Sequence, residues 1–153
     1  MAESQIQTDD FSDIRDAVRS LCQGFPGEYW REKDRNREYP REFVQALTDS
    51  GFLAVLIPEA YGGSGLGIRE ASAILEEIHK SGCNGAACHA QMYIMGTLLR
   101  HGSEEQKKKY LPGIASGALR LQAFGVTEPG SGTDTTSIRA FAKKVGDGYV
   151  ING

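Results

Sequence analysis

Gly125-Val126-Thr127-Glu128-Pro129-Gly130-Ser131-Gly132-Thr133-Asp134-Thr135-Thr136-Ser137 is the stretch whose reading decides this chain. The apolar run at residues 121–126 predicts a strand that arrives at a sharp, polar loop. Pro129, Gly130 and Gly132 permit turns that other residues resist, so successive N–H groups can converge on one point. The hydroxyls of Thr127, Ser131 and Thr133 stand close by as further donors. Such a loop can hold an anion, or a planar oxygen-rich cofactor, by its main chain. Composition alone fits a plain surface turn between two strands as well.

Downstream of that loop the chain reads as β structure. Residues 120–127, 138–145 and 149–152 predict strands, the last two joined by a hairpin turn at Gly146-Asp147-Gly148. Upstream it reads as helix. In residues 9–23, Phe11, Ile14, Val18 and Leu21 recur every three or four positions, with Asp9, Asp10 and Asp13 near the start and Gly24 at the stop. Residues 25–39 mix both charges and read as a solvated connector. Pro40 suits a first helical position, and Phe43, Val44 and Leu47 form a short stripe that ends at Ser50-Gly51.

Residues 52–58 predict a buried, irregular apolar passage, followed by the glycine-rich run Glu59-Ala60-Tyr61-Gly62-Gly63-Ser64-Gly65-Leu66-Gly67. No Lys-Ser/Thr pair follows that run and no dinucleotide fingerprint flanks it, which argues against a nucleotide loop. Residues 68–80 predict a helix that buries Ala71, Ile74, Leu75 and Ile78. Glu76 and Glu77 are adjacent, so on a helix they point about 100° apart and do not form a converging acid–base pair; Glu77 is expected to pair loosely with Lys80 or with solvent. Residues 86–100 predict a weakly polar helix, either the centre of a bundle or the wall of an apolar cavity. Ser103-Glu104-Glu105-Gln106 is a capping box that opens a short helix expected to end by Pro112. Helices first and strands afterward make an α+β order, with the boundary near residue 118.

The composition is ordinary. The chain has 153 residues, 40% of them hydrophobic and 24% charged, with a net charge of −3. That balance gives no general attraction to nucleic acid or to an anionic membrane. No apolar run reaches a membrane-spanning length, and residues 1–5 lack the pattern of a signal or transit peptide, so a cytoplasmic location is expected. Three cysteines fit a reducing compartment and no disulfide framework. Cys83, Cys88 and His89 lie near one another, but zinc sites favour tighter pairs with a matching second pair; buried free thiols and no metal are the expectation.

The loop residues Gly125, Val126, Thr127, Glu128, Ser131, Gly132, Thr133, Asp134 and Ser137 closely resemble the signature of the acyl-CoA dehydrogenase family. Two further segments are similar to recurrent family patterns: Pro58-Glu59-Ala60-Tyr61-Gly62-Gly63-Ser64-Gly65, a tight turn between helices, and Gly102-Ser103-Glu104-Glu105-Gln106-Lys107-Lys108-Lys109-Tyr110-Leu111-Pro112. The resemblance implies an N-terminal all-α helical bundle over residues 1–118. It also implies the opening strands of a β-barrel-like middle domain over residues 119–153, which this chain holds only in part.

It further implies FAD as cofactor, an acyl-CoA thioester as substrate, an electron-transferring flavoprotein as electron acceptor and a homotetramer as assembly. By motif position Phe124, Val126 and Thr127 would sit against the flavin ring, and Gly132 and Thr133 on its pyrophosphate side. Thr133 would also lie near the CoA part of the substrate. Phe124 departs from the Tyr or Trp often found at its position. His89 aligns with the closed end of the acyl pocket, which implies a short or polar acyl group; a hydrogen-bonded core histidine is the other reading. The family's catalytic base, a glutamate, lies in a later domain, so no residue here is assigned as catalytic. Glu128 is expected to fix the turn or to pair with a basic group rather than to abstract protons. A non-catalytic relative serving as a binding or assembly module is the alternative to the enzyme.

Overall fold

A computed structural model describes residues 11–153. Asp9 and Asp10, read above as part of the first helix start, lie outside the described residues. The backbone divides into two compact units that part between Ala123 and Phe124.

The first unit is helical. Helix α1 (Ser12–Gln23) buries Val18 and Cys22 and packs along α4 (Ile68–Lys80), which buries Ala71, Ala73, Ile74, Glu77 and Ile78. Helix α3 (Arg41–Asp49) contributes Phe43, Val44 and Leu47 to the same core, and Gly51, at φ +77°, turns the chain out of it. Helix α5 (Ala86–His101) buries Cys88, Gln91, Met92 and Met95, spaced three or four apart. Helix α6 (Glu104–Ala115) opens on the expected capping box. Its Gln106 N–H donates to Ser103 Oγ, and the Ser103 N–H donates to Gln106 Oε1 at 2.8 Å.

Three expectations are corrected here. Residues 25–39 are solvated but not a plain connector, because Gly27–Asn36 forms helix α2, none of whose residues is fully buried. Phe25 and Trp30 meet Phe43 edge to face, and Tyr29 meets Phe25 and Trp30 in the same way, with centroids 4.9–5.1 Å apart; Trp30 Nε1 donates to the Phe25 carbonyl. The mixed charges hid a helix of nearly three turns held down by aromatic rings. Second, α6 continues through Pro112. A proline inside a helix costs about 3 kcal/mol, but continuing past it carries Ile114 into the core beside Leu111, a burial worth about 1.5–3 kcal/mol, with Ile114 1% exposed. Third, Glu77 does not pair loosely with solvent. It is buried, and Arg19 and Arg15 reach it from α1 at 2.8 and 3.6 Å. The sequence of α4 alone held no sign of partners some sixty residues earlier.

The glycine-rich run is a tight turn, as the family pattern implied. Its N–H groups are spent inside the fold: Ser64 donates to Ala54, Gly65 to Ile57 and Leu66 to Val55. Gly63 has no room for a side chain, since a Cβ there would lie 2.1 Å from the Ile57 carbonyl oxygen. Cys22, Cys83 and Cys88 are all buried thiols, and burial pushes Cys22 and Cys88 up to about 12. No helix among the described residues is long and apolar enough to cross a membrane.

The second unit carries one antiparallel hairpin, β1 (Phe141–Val145) with β2 (Gly148–Asn152), in the register Phe141↔Asn152 to Val145↔Gly148. Gly146 takes φ +59° in its turn. The strand expected at residues 120–127 is absent, because no described strand pairs with it. The α+β order of an N-terminal helical part followed by opening β structure stands.

Candidate functional site

Within residues 124–137 some side chains build the loop and others are left over. Glu128 and Ser131 exchange backbone hydrogen bonds at 2.9 and 3.1 Å, closing a turn over Pro129 and Gly130. The two carboxylate oxygens of Glu128 accept the N–H groups of Arg139 and Ala140, each at 2.8 Å. Its role is therefore to tie the loop to the start of the hairpin. Ser131, 4% exposed, donates from Oγ to the Asp134 carbonyl at 2.6 Å. Asp134 in turn caps the 3-10 turn Thr135–Ser137, accepting from the Thr136 N–H and from the Ser137 and Thr136 hydroxyls. Those hydroxyls hold the Asp134 carboxyl below its ordinary value.

Val126, Thr127 and Gly132 take no part in that frame. Thr127, Gly132 and Thr133 are exposed, Val126 is half-buried and Phe124 is 60% exposed. Among the described residues, the N–H groups of Val126, Thr127, Gly132 and Thr133 have no hydrogen-bond partner. Nothing lies within 4 Å of a Cβ built on Gly125, Gly130 or Gly132. The loop is rigidly framed and presents bare main-chain donors, a pattern suited to an anion or to the polar edge of a flat ring.

A separate hollow of about 460 Å³ opens on the first unit, lined in part by His89, Tyr93 and Asn84. His89 is exposed on α5, with its ring edge-on to Tyr93 at 5.2 Å, so it is not a core histidine. Beside it runs a polar chain that the sequence reading passed over. Tyr39 OH donates to Gln122 Oε1 at 2.5 Å, Gln122 Nε2 donates to Gln91 Oε1 at 3.1 Å, and Gln91 Nε2 donates to the Leu53 carbonyl at 3.1 Å. Gln91 is fully buried. One signal was available: Gln91 is the lone amide on the stripe Cys88, Gln91, Met92, Met95, and a buried amide needs partners.

The family model for the acyl-CoA dehydrogenase N-terminal domain matches residues 8–118. Acyl-CoA dehydrogenase FadE12 of Mycobacterium tuberculosis is 35% identical over 151 residues, which are 98% of this chain and 39% of that protein. Mitochondrial isovaleryl-CoA dehydrogenase of Bos taurus is 37% identical over 145 residues, 92% of this chain and 34% of that one. The crystal structure of an acyl-CoA dehydrogenase from Geobacillus kaustophilus aligns with a TM-score of 0.80 at 27% identity, covering 99% of this chain and 40% of the other. The chain thus spans well under half the length of the proteins it matches. On the matched helices and the signature loop together, it belongs to the acyl-CoA dehydrogenase family.

Proposed function

We propose that this chain is the N-terminal part of an FAD-dependent acyl-CoA dehydrogenase. The reaction is α,β-dehydrogenation of an acyl-CoA thioester, with electrons passed on to an electron-transferring flavoprotein. The observation that carries the reading is the division within the loop: Glu128, Ser131 and Asp134 are consumed in building it, while the main chain at Val126, Thr127, Gly132 and Thr133 stays open. The residues present fit the cofactor. Phe124, Val126 and Thr127 would lie against the flavin ring, with Gly132 and Thr133 at the pyrophosphate and Thr133 also serving the CoA moiety. FAD, when bound, supplies a two-electron acceptor for the hydride that leaves the β-carbon. The chain's own part is to hold and orient, and to offer N–H donors where negative charge must be stabilised.

No residue described here is assigned the α-proton. Glu128 is unsuited to it, because both its oxygens already accept backbone N–H groups. His89 is proposed to stand at the far end of the acyl group, which favours a short or polar one. That isovaleryl-CoA dehydrogenase is named for a short branched acyl group agrees in direction. The expected assembly is a homotetramer. The test is a visible spectrum of the full-length purified protein, followed by a panel of acyl-CoAs added without air. A yellow protein that bleaches with some of them supports the reading. A colourless protein that cannot be reconstituted with FAD overturns it.

A further inference from the structure

The hollow beside His89 has an unusual combination of walls. Pro40, Ala86, Ala87 and Ala90 make it apolar, while Tyr39, Asn84 and Gln122 give it hydrogen-bonding groups. No Asp, Glu, Lys or Arg lines it.

The direction of every hydrogen bond along its polar side is fixed from one end. The Leu53 carbonyl can only accept, so the Gln91 amide must place its nitrogen there. Gln91 Oε1 is then left to accept from Gln122 Nε2, which turns Gln122 Oε1 toward the Tyr39 hydroxyl. Tyr39 has thereby committed its proton and keeps its oxygen lone pairs. Gln122 keeps one N–H. Asn84 Oδ1 is taken by the Ala86 N–H at 2.9 Å, which leaves the Asn84 NH₂ as a donor. Because Gln91 is buried, this arrangement cannot flip without stranding an amide in the core.

We infer that this hollow selects acyl groups whose far end carries a neutral hydroxyl or carbonyl, with Gln122 and Tyr39 as the specificity-determining residues. The inference rests on the acyl-CoA dehydrogenase reading above and on the acyl group reaching His89. A hydroxyl can donate to the Tyr39 oxygen and accept from Gln122 or Asn84. A saturated hydrocarbon would strip water from those groups and return nothing, and a carboxylate would be desolvated with no fixed cation to meet it, only the His89 imidazole. Sites that hydrogen-bond a substrate group discriminate strongly against the analogue that lacks it.

The experiment uses the full-length flavoprotein and matched pairs of thioesters: valeryl-CoA with ω-hydroxyvaleryl-CoA, and phenylpropanoyl-CoA with its para-hydroxy form. Glutaryl-CoA serves as the charged control. Non-reactive β-thia analogues of the same pairs are titrated by calorimetry, so that binding is read apart from turnover. The expected kcat/KM favours the hydroxylated member by about tenfold or more, the worth of one well-placed hydrogen bond. That preference is carried by KM and repeated in Kd, and glutaryl-CoA is the poorest of the set. In Tyr39→Phe, which keeps the ring, and in Gln122→Met, the ratio falls to within about threefold of one. Turnover of the hydrocarbon members at or above the rate of their hydroxylated partners overturns the inference and leaves the dehydrogenase standing. A preference unmoved by both variants overturns the role given to these two residues. A flavin bleached by no acyl-CoA overturns both readings together.

Discussion

Glu77 of α4 takes Arg19 of α1 at 2.8 Å while its own side chain is only 4% exposed, so a buried carboxylate is satisfied by a guanidinium that is itself 49% exposed. Arg15 reaches the same carboxylate from one turn earlier. Glu77→Ala removes the acceptor, and both arginines can retreat to water, so the loss is smaller than for a sealed pair. We expect about 1–3 kcal/mol, read from chemical denaturation. An unchanged midpoint would mean that the clamp does not hold α1 to α4.

Glu76 predicts the acid limb of stability. Hydrogen bonds from Arg15, then Lys80, hold its carboxyl below the ordinary 4.5. The folded value lies below the unfolded one, so its contribution is complete above about pH 4.5 and is lost as the pH falls through the folded value. Melting temperature is expected to fall on acidification below that point. Glu76→Gln should flatten the fall, and added salt should shrink the difference.

Two glycines should respond in opposite directions. Gly63→Ala drives a methyl to 2.1 Å from the Ile57 carbonyl oxygen and should cost about 3 kcal/mol or more. Gly96, inside α5, has nothing within 4 Å of a built Cβ, and Gly96→Ala should stabilise by about 0.5–1 kcal/mol. Denaturation of both variants side by side checks the pair.

Glu128 separates framing from chemistry. Glu128→Ala deletes both acceptors for Arg139 and Ala140 and should weaken FAD retention by roughly ten- to a hundredfold. Turnover per bound flavin should stay within about threefold of the parent, since general acid–base catalysis contributes far more than that where it operates. Full flavin content with turnover abolished would instead mark Glu128 as the base.

Cys22 and Cys88 should be inert to thiol reagents in the native protein, since burial pushes both up to about 12 and starves them of thiolate. Their labelling by an aromatic disulfide at mildly alkaline pH should follow global unfolding. Prompt reaction in the native state would contradict the burial.

Helices whose apolar residues recur at three or four positions were legible from sequence: α1, α3, α4 and α5 stand where Val18, Val44, Ile74 and Met92 place them. The framing role of Glu128 was half legible: its place at the loop entrance offered a turn to fix or a basic partner, and the N–H groups of Arg139 and Ala140 decide for the turn. What could not be read depended on partners far along the chain. Trp30 stands among charges in the sequence, and only the fold brings Phe43 to its ring; Tyr29 packs between Phe25 and Trp30. The run at residues 120–127 had strand-like residues but no neighbour to pair with; Arg120 and Gln122 are held by side chains of Thr48 and Gln91 instead. The polar chain from Tyr39 to Leu53 joins four separate places in the sequence, and no periodicity records such a meeting.

The tie between Gln91 and the Leu53 carbonyl has a consequence for how this chain can vary. A helix pinned in register by one interior amide cannot slide to accommodate a new ligand, so α5 presents the same outward positions whatever occupies them. Ala86 and Ala90 sit on that outward side, away from Met92 and Met95. Single replacements there can reshape the hollow while the core beneath keeps its packing, which leaves ligand preference free to drift and foldedness conserved.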